Sequence, residues 1–256
     1  MDILDRFIGC ARESLAEGYY AGTSARPEGG MASLRKRFYS GFVLICEIKH
    51  ASPAGEYGYR QIDVAKTAAA FRAGGADAIS CVVEPKVFRG DIGNVALAKN
   101  AGLPVLFKDF IFAKEQIGAA HRAGADCVLL VMKVAERTDA DLDSLIAHAH
   151  SLGLEVLLEC YDATELEKAM GTDADILGIN NRDLATLGVD IGRTARILRE
   201  AGGADRPVVS ESGIRSAADI ARLRDAGASG VLVGTAIWKA ADMQALIAEL
   251  KKGASA

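Results

Sequence analysis

The sequence predicts an α/β fold, a single (β/α)8 TIM barrel with an extra N-terminal helix, and three observations predict it. First, four segments resemble one another: FRAGGADAISCVV, HRAGADCVLLV, AMGTDADILGIN and RDAGASGVLVG. Each runs from a helix end through a Gly or Gly-like turn and a small residue into a short apolar strand. They recur roughly every 50 residues, about twice one strand-plus-helix unit, and a fixed period of this kind marks repeat architecture. Second, four other strand candidates interleave with them: Val43–Glu47, Val105–Lys108, Glu155–Glu159 and Val208–Glu211. Third, helical patterns such as DLDSLIAHAHSLG and SAADIARLRDAG separate the strands. Eight strands alternating with helices predict a parallel sheet, here closed into a barrel. A doubly wound open sheet is the alternative, and the lack of a GxGxxG after the first strand speaks against it.

Taken in order, residues 1–40 precede the first strand. Ile3, Leu4, Phe7 and Leu15 fit one helical face, which predicts an added helix covering part of the barrel, and ARPEGGMAS reads as a loop. No second domain is evident, so 1–256 reads as one barrel domain with 1–40 as a capping extension; α/β barrels commonly reach this length. The first strand lies in VLICEIKHASP, where the apolar run Val43 to Cys46 gives way to Glu47 and Lys49 before a turn at Ser52-Pro53. Charges at the end of a buried strand are costly unless compensated. The third strand, VLFKDF, ends in Lys108; the fifth, LEVLLECY, in Glu159; the seventh, PVVSES, in Glu211. The sixth, ADILGINNRDL, ends in Asn180 with Arg182 just beyond. All these positions are C-terminal strand ends, the face on which barrels place their active sites. One mouth ringed by Glu47, Lys49, Lys108, Glu159 and Glu211, mixed in sign, explains why the first strand carries its charges. A single Glu or Lys at a strand end is ordinarily a solvated rim residue; all four odd strands ending this way is the signal.

Two further stretches suggest a phosphate site. SESGI places Ser212-Gly213 after strand seven, and VLVGTAIW places Gly234-Thr235 after strand eight. Barrels often bind phosphate with these two loops, and glycine permits close approach of the backbone. The bland alternative is a pair of ordinary Gly-containing turns.

Bulk properties narrow the class. The chain is 50% hydrophobic and 25% charged, which is ordinary globular composition. A net charge of −4 gives no nucleic-acid footprint. Cys10, Cys46, Cys81, Cys127 and Cys160 are scattered, odd in number and without metal-ligand spacing, so a reduced, cytoplasmic protein is the simplest reading. No secretory signal is evident at the start, and no apolar run approaches the roughly 20 residues of a membrane span. His148 and His150, two apart on a predicted helix, do not share a face. His50 lies beside the charged mouth, as a ligand contact or as structure. Trp238 and Tyr57 have no nameable partner. Cys46 alternates with Glu47 and so faces out of the barrel, which disfavours a catalytic thiol.

Read together, CEIKHASP, LFKDFI, LLECYDATE, GINNRDL, SESGI and GVLVGTAIW resemble the motif series of the indole-3-glycerol phosphate synthase family, from about Gly41 to the last helix. The resemblance implies closure of the indole ring of 1-(2-carboxyphenylamino)-1-deoxyribulose 5-phosphate, with loss of carbon dioxide and water and without a cofactor or metal. By motif, Lys108 corresponds to the general acid and Glu159 to the proton-transfer residue of the dehydration. Lys49 corresponds to the residue that binds the substrate carboxylate and shares the acid role. Glu47 and Glu211 match supporting carboxylates, and Asn180 and Arg182 match positioning residues. Ser52, Ser212, Gly213, Gly234 and Thr235 match phosphate contacts; Phe88 and Phe110 match apolar residues around the anthranilate ring. The implied partner is a phosphorylated small molecule, with neither nucleic acid nor membrane, for a cytoplasmic monomer or weak homodimer.

Departures cluster in the loops after strands one to three. AGEYGYR follows Ser52-Pro53, where the family usually has Ser and soon Gly. His50 replaces a usual Lys or Arg, Val83 a usual Thr, and KDFIFAKEQI lacks the usual Asp and Tyr. They leave the acid and base intact but bear on affinity and loop closure. The alternatives are a phosphosugar isomerase of the same fold, a Schiff-base aldolase using Lys108 or Lys49, and a paralogue that binds phosphorylated ligands without turnover. Burial would lower the pKa of a mouth lysine and neighbouring carboxylates would raise it; the sequence leaves that contest open.

Overall fold

A computed structural model of the chain describes residues 2–22, 26–27, 30–52, 55, 58–183 and 186–254. Pro53, Tyr57 and part of ARPEGGMAS lie outside the described residues. Eight parallel strands close in sequence order, and the last pairs with the first. They are β1 (Val43–Ile48), β2 (Ala78–Val82), β3 (Val105–Lys108), β4 (Cys127–Val131), β5 (Glu155–Cys160), β6 (Ile176–Asn180), β7 (Val208–Glu211) and β8 (Gly230–Val233). Helix α1 (Ile3–Ala16) and a 3₁₀ turn (Arg35–Ser40) precede the barrel. Around it lie α2 (Val64–Gly74), α3 (Gly93–Lys99), α4 (Lys114–Ala123), α5 (Met132–Thr138), α6 (Leu142–Ser151), α7 (Ala163–Met170), α8 (Arg193–Glu200), α9 (Ala217–Asp225), α10 (Thr235–Lys239) and α11 (Met243–Ala254). Two helices rather than one follow β4 and β8.

The repeated segments mark descents from helix to strand. In the first two, Gly75 and Gly124 cap α2 and α4 in the left-handed conformation, at φ 98° and 93°. Glycine takes this conformation without steric cost, and the next strand starts a few residues on. At the other end of the helices, the side chains of Asp63, Asp141, Asp162 and Ser216 accept backbone N–H bonds and start α2, α6, α7 and α9.

Because both faces of a barrel strand are covered, the strands are apolar almost throughout, and their alternation sorts side chains into two layers. Leu44, Cys46, Ile79, Phe107, Leu158, Ile179 and Val231 face the helices. Val43, Ile45, Ala78, Leu106, Leu129, Leu157, Ile176, Val209 and Leu232 fill the lumen. Counting on by twos from the lumen residues reaches Glu47, Lys108, Glu159, Asn180 and Glu211, so all of these point inward at the mouth.

The extension runs the height of the barrel. On α1 the buried face is Leu4, Phe7, Ile8, Ala11 and Ser14; Ile3 and Leu15, near its two ends, are half-buried. Arg137 of α5 pairs with Asp2 and Asp5 at 2.6 and 2.7 Å, fixing α1 over the mouth. The chain then descends: the Tyr19 hydroxyl donates to the Val83 carbonyl and Arg26 donates to the Ala125 carbonyl. Finally the Ala32 amide donates to Asp126 and the Arg35 amide to Glu155, at the floor. Among the described residues, no helix is long and apolar enough to cross a membrane.

Candidate active site

Inside the mouth, the strand ends converge on Lys108. Its ammonium lies 2.5 Å from Glu211 Oε2, 3.8 Å from Glu159 Oε2 and 3.9 Å from Glu47 Oε2. Lys49, from the end of β1, lies 3.1 Å from Glu47 Oε1. All three carboxylates are buried. Burial alone would lower the pKa of Lys108, but Glu211, Glu159 and Glu47 together outweigh it and the net direction is upward. Burial likewise raises Glu47, yet Lys49 and then Lys108 more than offset it and hold the carboxyl below its usual range. Glu211 behaves in the opposite way. Burial, helped by Glu159 and opposed by Lys108, pushes it up to about 8. The site therefore combines a firmly charged lysine with a carboxyl whose hold on a proton is strengthened.

Two glycines make this crowding possible. A Cβ on Gly178 would stand 2.7 Å from Leu157 Cδ2 and 2.9 Å from Glu211 Oε1, and one on Gly234 would stand 2.5 Å from Glu47 Oε1. Both are closer than a real Cβ packs, so any larger residue would displace a catalytic candidate.

Every site residue singled out from the sequence lines one cavity of about 570 Å³. Ser52, Ser212, Gly213, Gly234 and Thr235 lie along it together with Lys239 and Arg215; Phe88 and Phe110 line it too. The turn after β7 is held in an unusual shape. Ser212 and Gly213 both have positive φ, 70° and 87°. Asn181, fully buried, donates to the Ser212 carbonyl at 3.0 Å and to Ser210 Oγ at 3.0 Å while accepting from Thr194.

Several partners were not legible in the sequence. Phe7 of α1 stacks on Phe110 with centroids 5.0 Å apart and meets Phe88 at 5.6 Å, so the capping helix supplies a third ring to the cavity wall. Glu84 accepts the backbone N–H groups of Lys86, Val87 and Phe88 and thereby shapes the loop that carries Phe88. Trp238 has a partner after all: its indole N–H donates to the Glu47 carbonyl at 2.8 Å, tying α10 to β1. His50 does not line the cavity. Its ring joins the Arg60 carbonyl and Asn94 at 3.0 Å each, which closes the loop after β1 against α3. His150 pairs with Asp175 far from the mouth, and Cys46 is buried on the helix-facing side, where burial raises its thiol pKa.

A barrel with a paired lysine–carboxylate ring at the mouth and an apolar wall beside it is an enzyme for acid–base chemistry on a small molecule. The family model described as indole-3-glycerol phosphate synthase matches residues 15–250. Proteins named indole-3-glycerol phosphate synthase from Bacillus cereus and Bacillus anthracis are each 34% identical over 250 residues, covering 97% of this chain and 98% of theirs. The chain belongs to the indole-3-glycerol phosphate synthase family. Solved structures share the fold at lower identity. A 3-hexulose-6-phosphate synthase has a TM-score of 0.64 at 22% identity, over 83% of this chain and 99% of that one. A thiamine phosphate pyrophosphorylase from Pyrococcus furiosus has 0.61 at 19%, over 83% and 95%.

Proposed function

We propose that this chain is a carboxy-lyase of tryptophan biosynthesis that closes the indole ring of 1-(2-carboxyphenylamino)-1-deoxyribulose 5-phosphate with loss of carbon dioxide and water. The observation that carries the reading is Lys108, held charged among Glu47, Glu159 and Glu211 in a cavity of the right chemistry, in a chain of this family.

In this reading Lys108 protonates the substrate carbonyl as the ring carbon attacks, a service worth roughly 10²–10⁴-fold. The carboxylates keep its proton available without neutralising it. Lys49 binds the substrate carboxylate and shares the acid role. Decarboxylation restores aromaticity, and Glu159 then moves the proton of the dehydration. Glu47 and Glu211 balance the lysines, while Asn180 and Arg182 position the substrate. Phe88 and Phe110, with Phe7, pack the anthranilate ring. Ser52 and the turns Ser212-Gly213 and Gly234-Thr235 take the phosphate. We read the chain as one barrel domain with 1–40 as its cap, working in the cytoplasm as a monomer or weak homodimer; the five free cysteines fit a reducing compartment.

The rival readings lack support. An isomerase acid–base pair on strands one and six would use Cys46, which faces the helices, and an Asp where Asn180 stands. A Schiff-base nucleophile needs a neutral lysine, and Lys108 is pushed the other way. The test is the rise of indole fluorescence when the purified protein meets the substrate, beside Lys108→Met and Glu159→Gln. Turnover that collapses in Lys108→Met is the expected result; wild-type protein that binds a substrate analogue without turnover would make it a binder.

A further inference from the structure

Tyr161 has no part in the chemistry described above, yet it touches the group assigned the late proton transfer. It follows Glu159 by two residues, so its side chain points to the same side of the chain, and it is 6% exposed on the cavity wall. Its hydroxyl donates to Glu159 Oε1 and accepts from Asn180 Nδ2 at 3.3 Å. The other oxygen, Glu159 Oε2, accepts from Asn180 Nδ2 at 3.1 Å and lies 3.8 Å from Lys108. The ring is held as firmly as the hydroxyl. Lys133 of α5 stands 4.8 Å over its centroid, and Glu165 of α7 accepts the Tyr161 amide at 2.8 Å.

We propose that Tyr161 is a positioning residue for the reaction: its hydroxyl locks the Glu159 carboxylate in one orientation, leaving Oε2 to exchange the proton with substrate. The inference rests on the reading of Glu159 as the proton-transfer group. A hydrogen bond donated to the charged form of an acid stabilises that form. Around Glu159 stand Lys108 on β3, Asn180 on β6, Glu211 on β7 and, through their shared Lys108, Glu47 on β1. The two neighbouring carboxyls are held differently: Glu211 takes the Lys108 ammonium at 2.5 Å, while Glu159 takes the neutral donors Tyr161 and Asn180. Burial and the Glu159 charge also push the phenol well above its ordinary value, so Tyr161 remains a donor throughout the working range and is no acid itself.

Tyr161→Phe keeps the ring, the Lys133 contact and the amide bond and removes only the hydroxyl. Its kcat is expected to fall roughly tenfold or more, the worth of a hydrogen bond to a charged group, with KM changed by less than about twofold. The acid limb of its kcat–pH profile is displaced, and the Glu159 carboxyl resonance, read by carbon-13 NMR on glutamate-labelled protein and assigned with Glu159→Gln, moves as the hydroxyl is lost. Tyr161→His offers an N–H from a similar position and recovers part of the loss; it is also the variant to read should Tyr161→Phe not fold. Unchanged kcat with an unchanged Glu159 resonance overturns the proposal, and so does a loss carried by KM. Wild-type turnover in Glu159→Gln overturns it through the reading of Glu159 itself, an outcome distinct from the other two.

Discussion

Replacing Lys108 by Met takes a cation away from three buried carboxylates, and the consequence extends beyond turnover. Removing one partner of a buried ion pair costs about 3–5 kcal/mol when the remaining charge stays ionised. Glu47 and Glu211, which Lys108 holds down, escape that cost by taking up protons, so their pKa values rise. A raised acid destabilises the fold above its unfolded value and ceases to do so as the pH falls. Lys108→Met is therefore expected to lose more thermal stability against wild type at pH 8 than at pH 5.5, a difference that melting curves at the two values measure directly. At this scale the sequence told a good deal: the parity of each strand carries Glu47, Lys108, Glu159 and Glu211 into one lumen. It could not reveal Tyr161, Asn181 or Glu84. A tyrosine just past a strand looks like packing, and an Asn or Glu in a turn looks like surface. Their roles depend on which backbone and side-chain atoms lie across space, and no spacing rule encodes that.

Helix α1 shows the same limit one level up. Its apolar stripe announces a buried face, but a stripe does not say what lies beneath. What lies beneath is the cavity: Phe7 is 2% exposed and closes a cluster with Phe88 and Phe110. Truncating a core Phe to Ala costs about 3–5 kcal/mol, and here the space opened belongs to the wall proposed to pack the anthranilate ring. Phe7→Ala is expected to lower the melting temperature and raise KM several-fold while leaving kcat within about threefold, because its ring packs on Phe88 and Phe110 and takes no part in the ion pairs of Lys108. A kcat loss equal to that of Lys108→Met would mean that α1 sets the geometry of the charged ring. The departures after strands one to three find partial accounts among these elements. His50 bonds Asn94 of α3, and Val83 is fully buried among apolar side chains, where a hydroxyl would need a partner. Nothing in the structure explains the changed residues after KDFI.

For the molecule as a whole, the closed barrel was the most legible feature, because eight apolar strands separated by capped helices leave few other ways to bury both faces. The course of the described residues between α1 and β1 was not, since it is written in hydrogen bonds from Tyr19, Tyr20, Arg26 and Ala32. One of them sets a pH dependence. Asp109, buried beside Glu84 and accepting from Tyr20 at 2.7 Å, is pushed by burial from 3.8 to about 7. Below 3.8 both folded and unfolded states hold the proton and the group is neutral to stability. Between 3.8 and about 7 the folded state binds more protons than the unfolded, so stability falls as pH rises, by a few kcal/mol in all. Asp109→Asn is expected to flatten that slope in denaturant titrations from pH 4 to 7, with Tyr20 turning to accept from the new amide. An unaltered slope would assign the pH dependence to Glu211 and Glu165, which burial also raises, to about 8 and about 7.

The bond from Trp238 to the Glu47 carbonyl has an optical consequence. The chain has a single tryptophan. Its emission therefore comes from one buried fluorophore, fixed where β1 meets α10 and packed against Phe71 of α2. A ligand that shifts either element alters the surroundings of that one indole, so occupancy becomes visible without any label. The product carries an indole of its own, and its signal accumulates over a background of one emitter per molecule, constant in number throughout the reaction.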